Sequence, residues 1–274
     1  MKKFLALFLT LVMGATMLTA CGGGEEEAAA PEGEESADGT TFTLGFDASY
    51  PPYGFRTDDG EYVGFDLDLA KEVCERNGWE FVAQPVDWDA KDMELNSGNI
   101  DCIWNGFTMT GREEEYTFSD PYVDNSIVFV VAADSDIQTK EDLAGKVVVT
   151  QADSSGLAAL QSEENADLTN SFASLEQTAE YNTAFMNLES GADDAIAVDL
   201  GVALYQMNTK EGKFRMLEEP LSIEQYAIAF KKGNEELRDK VQATLNEMLE
   251  DGTFDEIVAK YADYSLDEMV CLGK

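Results

Sequence analysis

The sequence predicts an α/β protein of two lobes, each a mixed, mostly parallel sheet flanked by helices. Segments typical of strands and helices alternate as β-α-β-α-β from residue 41, and a second alternation begins at residue 146. Beyond the first 40 residues the chain retains about 235, a length that suits two lobes better than one. The two units are not a sequence repeat.

The first unit opens with an alternating apolar run, followed by a loop with Pro51-Pro52 and by the hairpin signal Asp59-Gly60. Gly78 and Gly98 each follow a pattern of helical spacing and are expected to end a helix. The predicted elements are strands at 41–46, 79–86, 100–106 and 127–132 and helices at 66–77 and 89–96.

In the second unit, Tyr181, Phe185 and Leu188 fall on one face of a predicted helix. The predicted elements are strands at 146–150, 195–198 and 223–230, a serine-rich turn at 153–156, and helices at 157–162, at 175–189 and after residue 199. Two closing helices have apolar faces at 237–249 and 254–261.

The composition excludes several classes of function. The chain has 18 Lys and Arg residues against 55 Asp and Glu, no His, and a net charge of −37. A surface this acidic repels phosphate backbones, so no nucleic-acid partner is expected. The lack of His excludes His-based catalytic triads, imidazole zinc sites and histidine pH switches.

The first 40 residues are predicted to lie outside the lobes. Two lysines precede about fifteen mostly apolar residues at 4–18, which is typical of a secretory signal and too short to span a bilayer. The run ends in Leu18-Thr19-Ala20-Cys21, which resembles the lipobox of bacterial lipoproteins. That resemblance implies a signal peptide at 1–20 that is cleaved before Cys21, and a diacylglyceryl group on the sulfur of Cys21. Residues 21–40 would then comprise the lipidated cysteine and a flexible acidic tether. A plain signal peptide with an incidental cysteine is the alternative.

Three further cysteines, Cys74, Cys102 and Cys271, permit at most one disulfide. Their spacing matches no metal site, and Cys74 and Cys102 lie in segments of apolar periodicity, which predicts small buried hydrophobic residues. The paired acids Asp66 and Asp68 come without an EF-hand loop, so no metal site is predicted.

Five motifs, in order, resemble the bacterial extracellular solute-binding proteins, family 3, which serve ABC transporters of polar amino acids. The resemblance is strongest to lysine-arginine-ornithine, histidine and glutamine binders, and it covers about 41–264. The motifs are DASYPPY at 47–53, GFDLDLA at 64–70, DWDA at 87–90, NGFTMTGR at 105–112 and FSDPY at 118–122.

This resemblance implies a periplasmic-binding-protein type II fold, in which two lobes joined by two hinge strands close on a ligand between them. Lobe one is expected to comprise 41–131 and 225–274, and lobe two 132–224. The implied protein is a lipid-anchored, extracytoplasmic, monomeric receptor without cofactor or catalytic activity. It would deliver a polar amino acid, basic or neutral, to an ABC permease.

The resemblance also implies partners for the charged groups of an amino acid. Arg112 matches the carboxylate clamp of the family, because a planar guanidinium offers two parallel hydrogen bonds. The alternative is a surface arginine that neutralises the acids at 113–115. Asp199 matches the acid that pairs with the α-ammonium, and an N-cap for the following helix is its alternative.

Residues 105–110 supply the remaining contacts that lobe one is expected to make with these groups. Thr108 and Thr110 match positions that add hydroxyl and backbone contacts, and the carbonyl oxygen of Asn105 or Gly106 is expected to accept an ammonium hydrogen. The chain is one residue shorter than the common family spacing after Thr110.

Three residues match positions that face the ligand's side chain. Tyr50 and Trp88 match aromatic residues that sandwich it, although aromatic residues at such places are often core. Asp47 matches the acid that faces the distal cation in binders of basic amino acids.

A loop of lobe two, QADSS at 151–155, resembles the Gln-x-Gly-Thr-Thr loop of the family. Gln151, Ser154 and Ser155 are therefore expected to reach the ligand carboxylate. Asp153 replaces the family's glycine, and its own carboxylate is unfavourable there unless it points away.

An enzyme on the same fold, such as a periplasmic cyclohexadienyl dehydratase, is the alternative function. That chemistry needs an acid–base group facing the substrate, for which Asp47 and Asp153 are the candidates. Neither lies in a recognisable enzyme motif.

Overall fold

The computed structural model describes residues 40–274. The predicted signal peptide, the lipidation site Cys21 and the tether up to residue 39 lie outside the described residues. Within 40–274 the structure has no helix that is both long and apolar enough to cross a bilayer.

The strands, in chain order, are β1 (Thr41–Phe46), β2 (Ser49–Tyr50), β3 (Gly54–Arg56), β4 (Tyr62–Val63), β5 (Glu80–Pro85), β6 (Cys102–Ile103), β7 (Tyr116–Phe118), β8 (Val123–Ala132), β9 (Val147–Gln151), β10 (Ser174–Thr178), β11 (Ala195–Asp199), β12 (Phe214–Met216), β13 (Ser222–Tyr226) and β14 (Ala229–Lys231). The helices are α1 (Phe65–Asn77), α2 (Lys91–Ser97), α3 (Ser155–Leu160), α4 (Ala166–Ser171), α5 (Tyr181–Ser190), α6 (Leu200–Thr209), α7 (Glu235–Asp251), α8 (Thr253–Ala259) and α9 (Leu266–Met269).

Lobe one is built on a five-stranded sheet in the order β5-β1-β6-β14-β7. β1 pairs in parallel with β5 and β6, whereas β14 runs antiparallel to β6 and β7. α1, α7 and α8 pack on one another, and α1 and α2 each contact the sheet. The apolar faces of these helices and strands form the core of the lobe.

Lobe two is built on a sheet in the order β10-β9-β11-β8-β12, with β13 also paired to β8. β9 runs parallel to β10 and β11, whereas β8 is antiparallel to β11, β12 and β13. The predicted architecture of two lobes with mixed sheets flanked by helices is confirmed, but in neither sheet are most strand pairs parallel, because β14 in lobe one and β8 in lobe two run antiparallel to all their neighbours.

Two segments connect the lobes, one between β7 and β8 and the other between β13 and β14. They lie side by side, because the amide of Ser119 donates to the carbonyl of Ile228 at 3.0 Å and that of Tyr122 to Tyr226 at 2.9 Å. The division predicted at residue 131 falls inside β8, which pairs with the second sheet along its whole length from Val123.

The helix predicted at 175–189 is wrong over its first residues. Residues Ser174–Thr178 form β10, which pairs in parallel with β9, and α5 begins only at Tyr181. Pairing with the exposed edge of β9 satisfies the backbone of this segment and overrides its helical spacing.

Two predicted strands are shorter than expected. The strand predicted at 223–230 is interrupted at 227–228, where the chain passes from one sheet to the other. The strand predicted at 100–106 is reduced to β6, because the backbone turns out of the sheet at Gly106, whose φ is +54°. The predicted helix ends at Gly78 and Gly98 are confirmed.

The three cysteines of the described residues are free thiols. Cys74 and Cys102 are buried, as their apolar surroundings predict, and Cys271 is half-buried.

Candidate functional site

A small cavity between the lobes gathers nine of the residues predicted to bind ligand. It leaves about 10 Å³ of free space, room for about one water molecule. An amino acid therefore needs the lobes to separate before it is admitted. The lining residues are Tyr50, Trp88, Gly106, Thr108 and Arg112 from lobe one and Gln151, Ser154, Ser155 and Asp199 from lobe two.

The topology brings these residues together at the carboxyl ends of neighbouring strands. In lobe one, Tyr50 follows β1, and the segment 104–112 follows β6. In lobe two, Gln151 ends β9 and Asp199 ends β11. Open α/β sheets bind ligands at this edge, because the loops there face the crevice.

Gly106 is fixed by a buried acid beneath it. Its N–H donates to Oδ2 of Asp66 at 2.6 Å, and the hydroxyl of Tyr122 donates to the same oxygen at 2.9 Å. Burial raises the pKa of Asp66 to about 7. A Cβ at position 106 would lie 2.8 Å from the Tyr226 ring and 3.2 Å from that of Tyr50, so only glycine fits at this φ.

Arg112 lies on lobe one with its guanidinium against the Phe107 ring, where Cζ is 4.8 Å from the ring centroid. Within residues 40–274 it forms no ion pair with a carboxylate, including those at 113–115. Its hydrogen-bond donors are thus available to an anion in the cleft.

Asp199 lies opposite, at the N-cap position of α6, but its side chain makes no capping hydrogen bond. Its Oδ1 instead accepts from the hydroxyl of Tyr226 at 2.6 Å and from Nδ2 of Asn125 at 2.9 Å. Burial raises its pKa. The carboxylate is therefore turned into the cleft rather than along its own helix.

Glu224 is a further acid in the cleft that sequence reasoning missed. It lies on β13, is 6% exposed, and its Oε1 accepts from Thr108 Oγ1 at 2.6 Å and Ser155 Oγ at 3.1 Å. It therefore connects a hydroxyl of lobe one with a hydroxyl of lobe two. The sequence carried no signal for it, because β13 turns Ile223 outward and the acid inward, the reverse of what their residue types predict.

Tyr50 and Trp88, predicted to sandwich a ligand side chain, lie side by side in the structure. The rings of Tyr50 and Trp88 are within 7° of parallel, with centroids 6.5 Å apart. Beside Trp88 a second cavity of about 410 Å³ opens, lined by Asp47, Asp87 and Glu180 among others.

Asp47 lies in that second cavity rather than in the first. Its Oδ2 accepts from Nε2 of Gln151 in lobe two at 2.7 Å, and its Oδ1 accepts from the amide of Ser49 at 2.7 Å. Burial raises the pKa of Asp47 to about 6.

The structure does not bring Asn105 and Thr110 to the cavity wall. Asn105 is buried behind it, and its Oδ1 accepts from the amide of Asp47 at 3.0 Å. Thr110 is exposed, and its hydroxyl accepts from the amide of Gln225 at 3.2 Å, because the chain turns away at Gly111.

The two serines of the lobe-two loop have different roles. The hydroxyl of Ser154 caps α3 by accepting from the amide of Leu157 at 3.1 Å, and it donates to the carbonyl of Gln151 at 2.8 Å. The hydroxyl of Ser155 donates to Oε1 of Glu224, in the same lobe, at 3.1 Å.

Asp153 points away from the cavity. It adopts a left-handed φ of +56°, and its carboxylate forms an ion pair with Lys91 of α2, in the other lobe. The ammonium of Lys91 is almost fully buried and also lies 5.1 Å from the centroid of the Trp88 ring. The extra carboxylate is thus neutralised by a contact between the lobes.

Comparison with known proteins identifies the family. The family model for bacterial extracellular solute-binding proteins, family 3, matches residues 42–264. The chain belongs to this family. The L-cystine-binding protein TcyJ of Escherichia coli (strain K12) is 30% identical over 224 residues, which is 81% of this chain and 82% of that protein.

Solved structures share the fold. An ABC uptake transporter substrate-binding protein from Streptococcus pneumoniae with bound histidine is 35% identical, with a TM-score of 0.77 over 81% of this chain and 92% of that one. The ancestral amino acid-binding protein AncCDT-1, a precursor of cyclohexadienyl dehydratase, is 29% identical, with a TM-score of 0.73 over 81% of this chain and 95% of that one.

The neighbouring serines allow a matched test of capping and ligand contact. We expect Ser154→Ala to lower the free energy of unfolding by about 1 kcal/mol, because α3 loses its N-cap. Ser155→Ala is expected to cost less stability, since Glu224 keeps its other donors, and to weaken amino acid binding more. Urea unfolding and calorimetry measure the two effects, and equal losses of stability in the two variants would contradict the division of roles.

The ion pair between Lys91 and Asp153 is expected to favour the closed arrangement of the lobes. Lys91→Met should weaken amino acid binding about threefold to tenfold, because closure then lacks one charged contact. Lys71→Met is the control, since Lys71 pairs with Asp68 inside lobe one. Titration calorimetry of both variants checks this, and an equal effect of the two would refute a role in closure.

Proposed function

We propose that this protein is the extracytoplasmic substrate-binding component of an ABC importer for a polar amino acid. The observation that supports this best is the placement of Arg112 and Asp199 on opposite walls of the cavity, one from each lobe. A guanidinium and a carboxylate so placed complement the carboxylate and ammonium of one zwitterion. A ligand held by both stabilises the closed form, which is the form an importer recognises in this type of receptor.

The ligand class follows from the same cleft and from the relatives. The named ligands of TcyJ and of the S. pneumoniae protein are cystine and histidine, both polar amino acids. The acidic second cavity beside Trp88 favours a basic or neutral side chain over an acidic one.

A thermal-shift screen of the twenty amino acids with ornithine and cystine tests the proposal. At saturation, only ligands that bind the folded state preferentially raise the unfolding midpoint. We expect a shift with one or a few polar amino acids. A uniform lack of shift would contradict amino acid binding.

The same proposal makes the protein a receptor and not an enzyme. After incubation the amino acid should be recovered chemically intact by mass spectrometry. Recovery of a dehydrated or otherwise altered compound would favour the dehydratase alternative.

We further propose that acyl chains on Cys21 hold the protein at the outer face of the cytoplasmic membrane as a monomer. The support is the lipobox-like sequence at 18–21. The wild-type protein is expected in the membrane fraction, and Cys21→Ser in the soluble or unprocessed fraction. An unchanged distribution and mass of the variant would refute lipidation.

A further inference from the structure

Asp199 and Glu224 form a buried pair of acids on either side of Asn125, called here the carboxylate pair. β8 lies between β11 and β13, and Glu224 stands directly opposite Asn125 in the register of β13 and β8. Nδ2 of Asn125 donates to Asp199 at 2.9 Å and to Glu224 at 2.8 Å. One amide group thus joins acids from the two strands that flank it.

The hydrogen bonds of this cluster do not balance. The side-chain amide of Asn125 donates both of its hydrogens to the two acids. Its Oδ1 is buried without a hydrogen-bond partner in the described part of the chain. Each of the other donors, the hydroxyls of Tyr226, Thr108 and Ser155, has a single hydrogen. In the described part of the chain all of these bonds go to Oδ1 of Asp199 or Oε1 of Glu224, so the second oxygen of each acid accepts no hydrogen bond, although buried polar atoms are normally paired.

Its charges do not balance either. Within residues 40–274, neither Asp199 nor Glu224 has a Lys or Arg nitrogen within 4.0 Å. Burial first, and then the charge of Asp199, raise the pKa of Glu224 to about 7. Two buried acids without a cation are costly, because desolvation penalises each charge and the two repel each other.

Both shortages would be corrected by one group, a primary ammonium, which brings a positive charge and three N–H donors. We propose that Glu224 is a second carboxylate for the α-ammonium of the bound amino acid and acts together with Asp199. This inference rests on the proposed function of amino acid binding. It adds a residue, bonded to the lining residues Thr108 and Ser155, that selects ligands with a free α-ammonium.

Glu224 also accepts hydrogen bonds from hydroxyls of both lobes, so it could contribute to affinity by stabilising lobe closure alone. The experiment therefore has to separate a contact with the α-ammonium from an effect on closure. The probes are L-histidine, L-arginine and L-glutamine, each with the analogue that has hydrogen in place of the α-amino group. The variants are Glu224→Gln, which keeps the shape of the side chain, and Glu176→Gln, an exposed acid on β10 of the same lobe, as the control.

We expect Glu224→Gln to lose at least tenfold in affinity for the amino acids that the wild type binds, and less than threefold for their deamino analogues. Glu176→Gln should match the wild type. Equal losses for an amino acid and its analogue would overturn the proposal, because Glu224 would then act on closure alone.

A second measurement needs no ligand. At pH 8 the unliganded Glu224→Gln variant should unfold at a higher temperature than the wild type, since the repulsion within the carboxylate pair is removed. A lower midpoint would overturn the proposal by showing that the bonds from Thr108 and Ser155 already compensate the charge. If the wild type binds none of the three, the amino acid with the largest thermal shift and its deamino analogue take their place. If it binds no amino acid of the screen, the proposed function is contradicted, and the midpoint still decides whether the pair is uncompensated.

Discussion

Replacing Arg112 with alanine is expected to weaken binding of the amino acid by more than about 2 kcal/mol, roughly 30-fold. Arg112 is the cationic residue among those that line the cavity in the described part of the chain, so its loss leaves the ligand carboxylate buried without a counter-charge. Contact of its guanidinium with the Phe107 ring restricts it before the ligand arrives. Calorimetry with the amino acid that gives the largest thermal shift measures the effect.

Two further variants test whether the loss of affinity comes from the guanidinium of Arg112. Arg112→Lys keeps the charge but not the planar fork, so we expect a loss between those of the wild type and the alanine variant. Arg56→Ala is the control, because Arg56 is exposed and, among residues 40–274, its Nε donates only to the carbonyl of Gly60, at 3.3 Å. Binding that is unchanged by Arg112→Ala would refute the clamp, and an equal loss in Arg56→Ala would indicate a general effect of charge.

Fold features that depend on one residue could be predicted from the sequence. Gly78 and Gly98 end their helices in the left-handed conformation, with their N–H groups bonded to carbonyls of the last turn. β10 could not be predicted in this way, because Ser174–Thr178 contains one apolar residue and becomes a strand only through pairing with β9. Its state is decided by a tertiary contact that local spacing does not encode.

The residues of the candidate site also differ in whether the sequence alone could predict them. Tyr50 and Arg112 belong to recognisable motifs and Asp199 ends a predicted strand, and the structure brings the three to one cavity. Glu224 was missed because an acid in a short strand is normally taken to face solvent, and its inward direction is visible only when Ile223 is seen to be 79% exposed. The partner of Asp153 was also unpredictable, since Lys91 reaches it from the other lobe.

Gly201 of lobe two lies directly against the side chain of Tyr53 of lobe one. Gly201 is the second residue of α6, and Tyr53 belongs to the loop between β2 and β3. A Cβ at position 201 would lie 2.9 Å from Cε2 and Cζ of the Tyr53 ring and closer still to its hydroxyl. Tyr53 is fully buried and packs on Tyr226, with ring centroids 5.3 Å apart, so it has little room to move.

We therefore expect Gly201→Ala to weaken amino acid binding about 10- to 100-fold, since overpacking at a tight contact costs about 1–3 kcal/mol and here opposes closure. The folded lobes should survive, because alanine favours the helix over glycine by about 1 kcal/mol. Small-angle scattering with saturating amino acid should show a larger radius of gyration than in the wild type. In a Tyr53→Val background, where the opposing ring is absent, adding Gly201→Ala should cost much less affinity. If Gly201→Ala lowers the affinity by the same factor in both backgrounds, the steric mechanism is contradicted. The effect of residue 201 would then arise inside α6 rather than between the lobes.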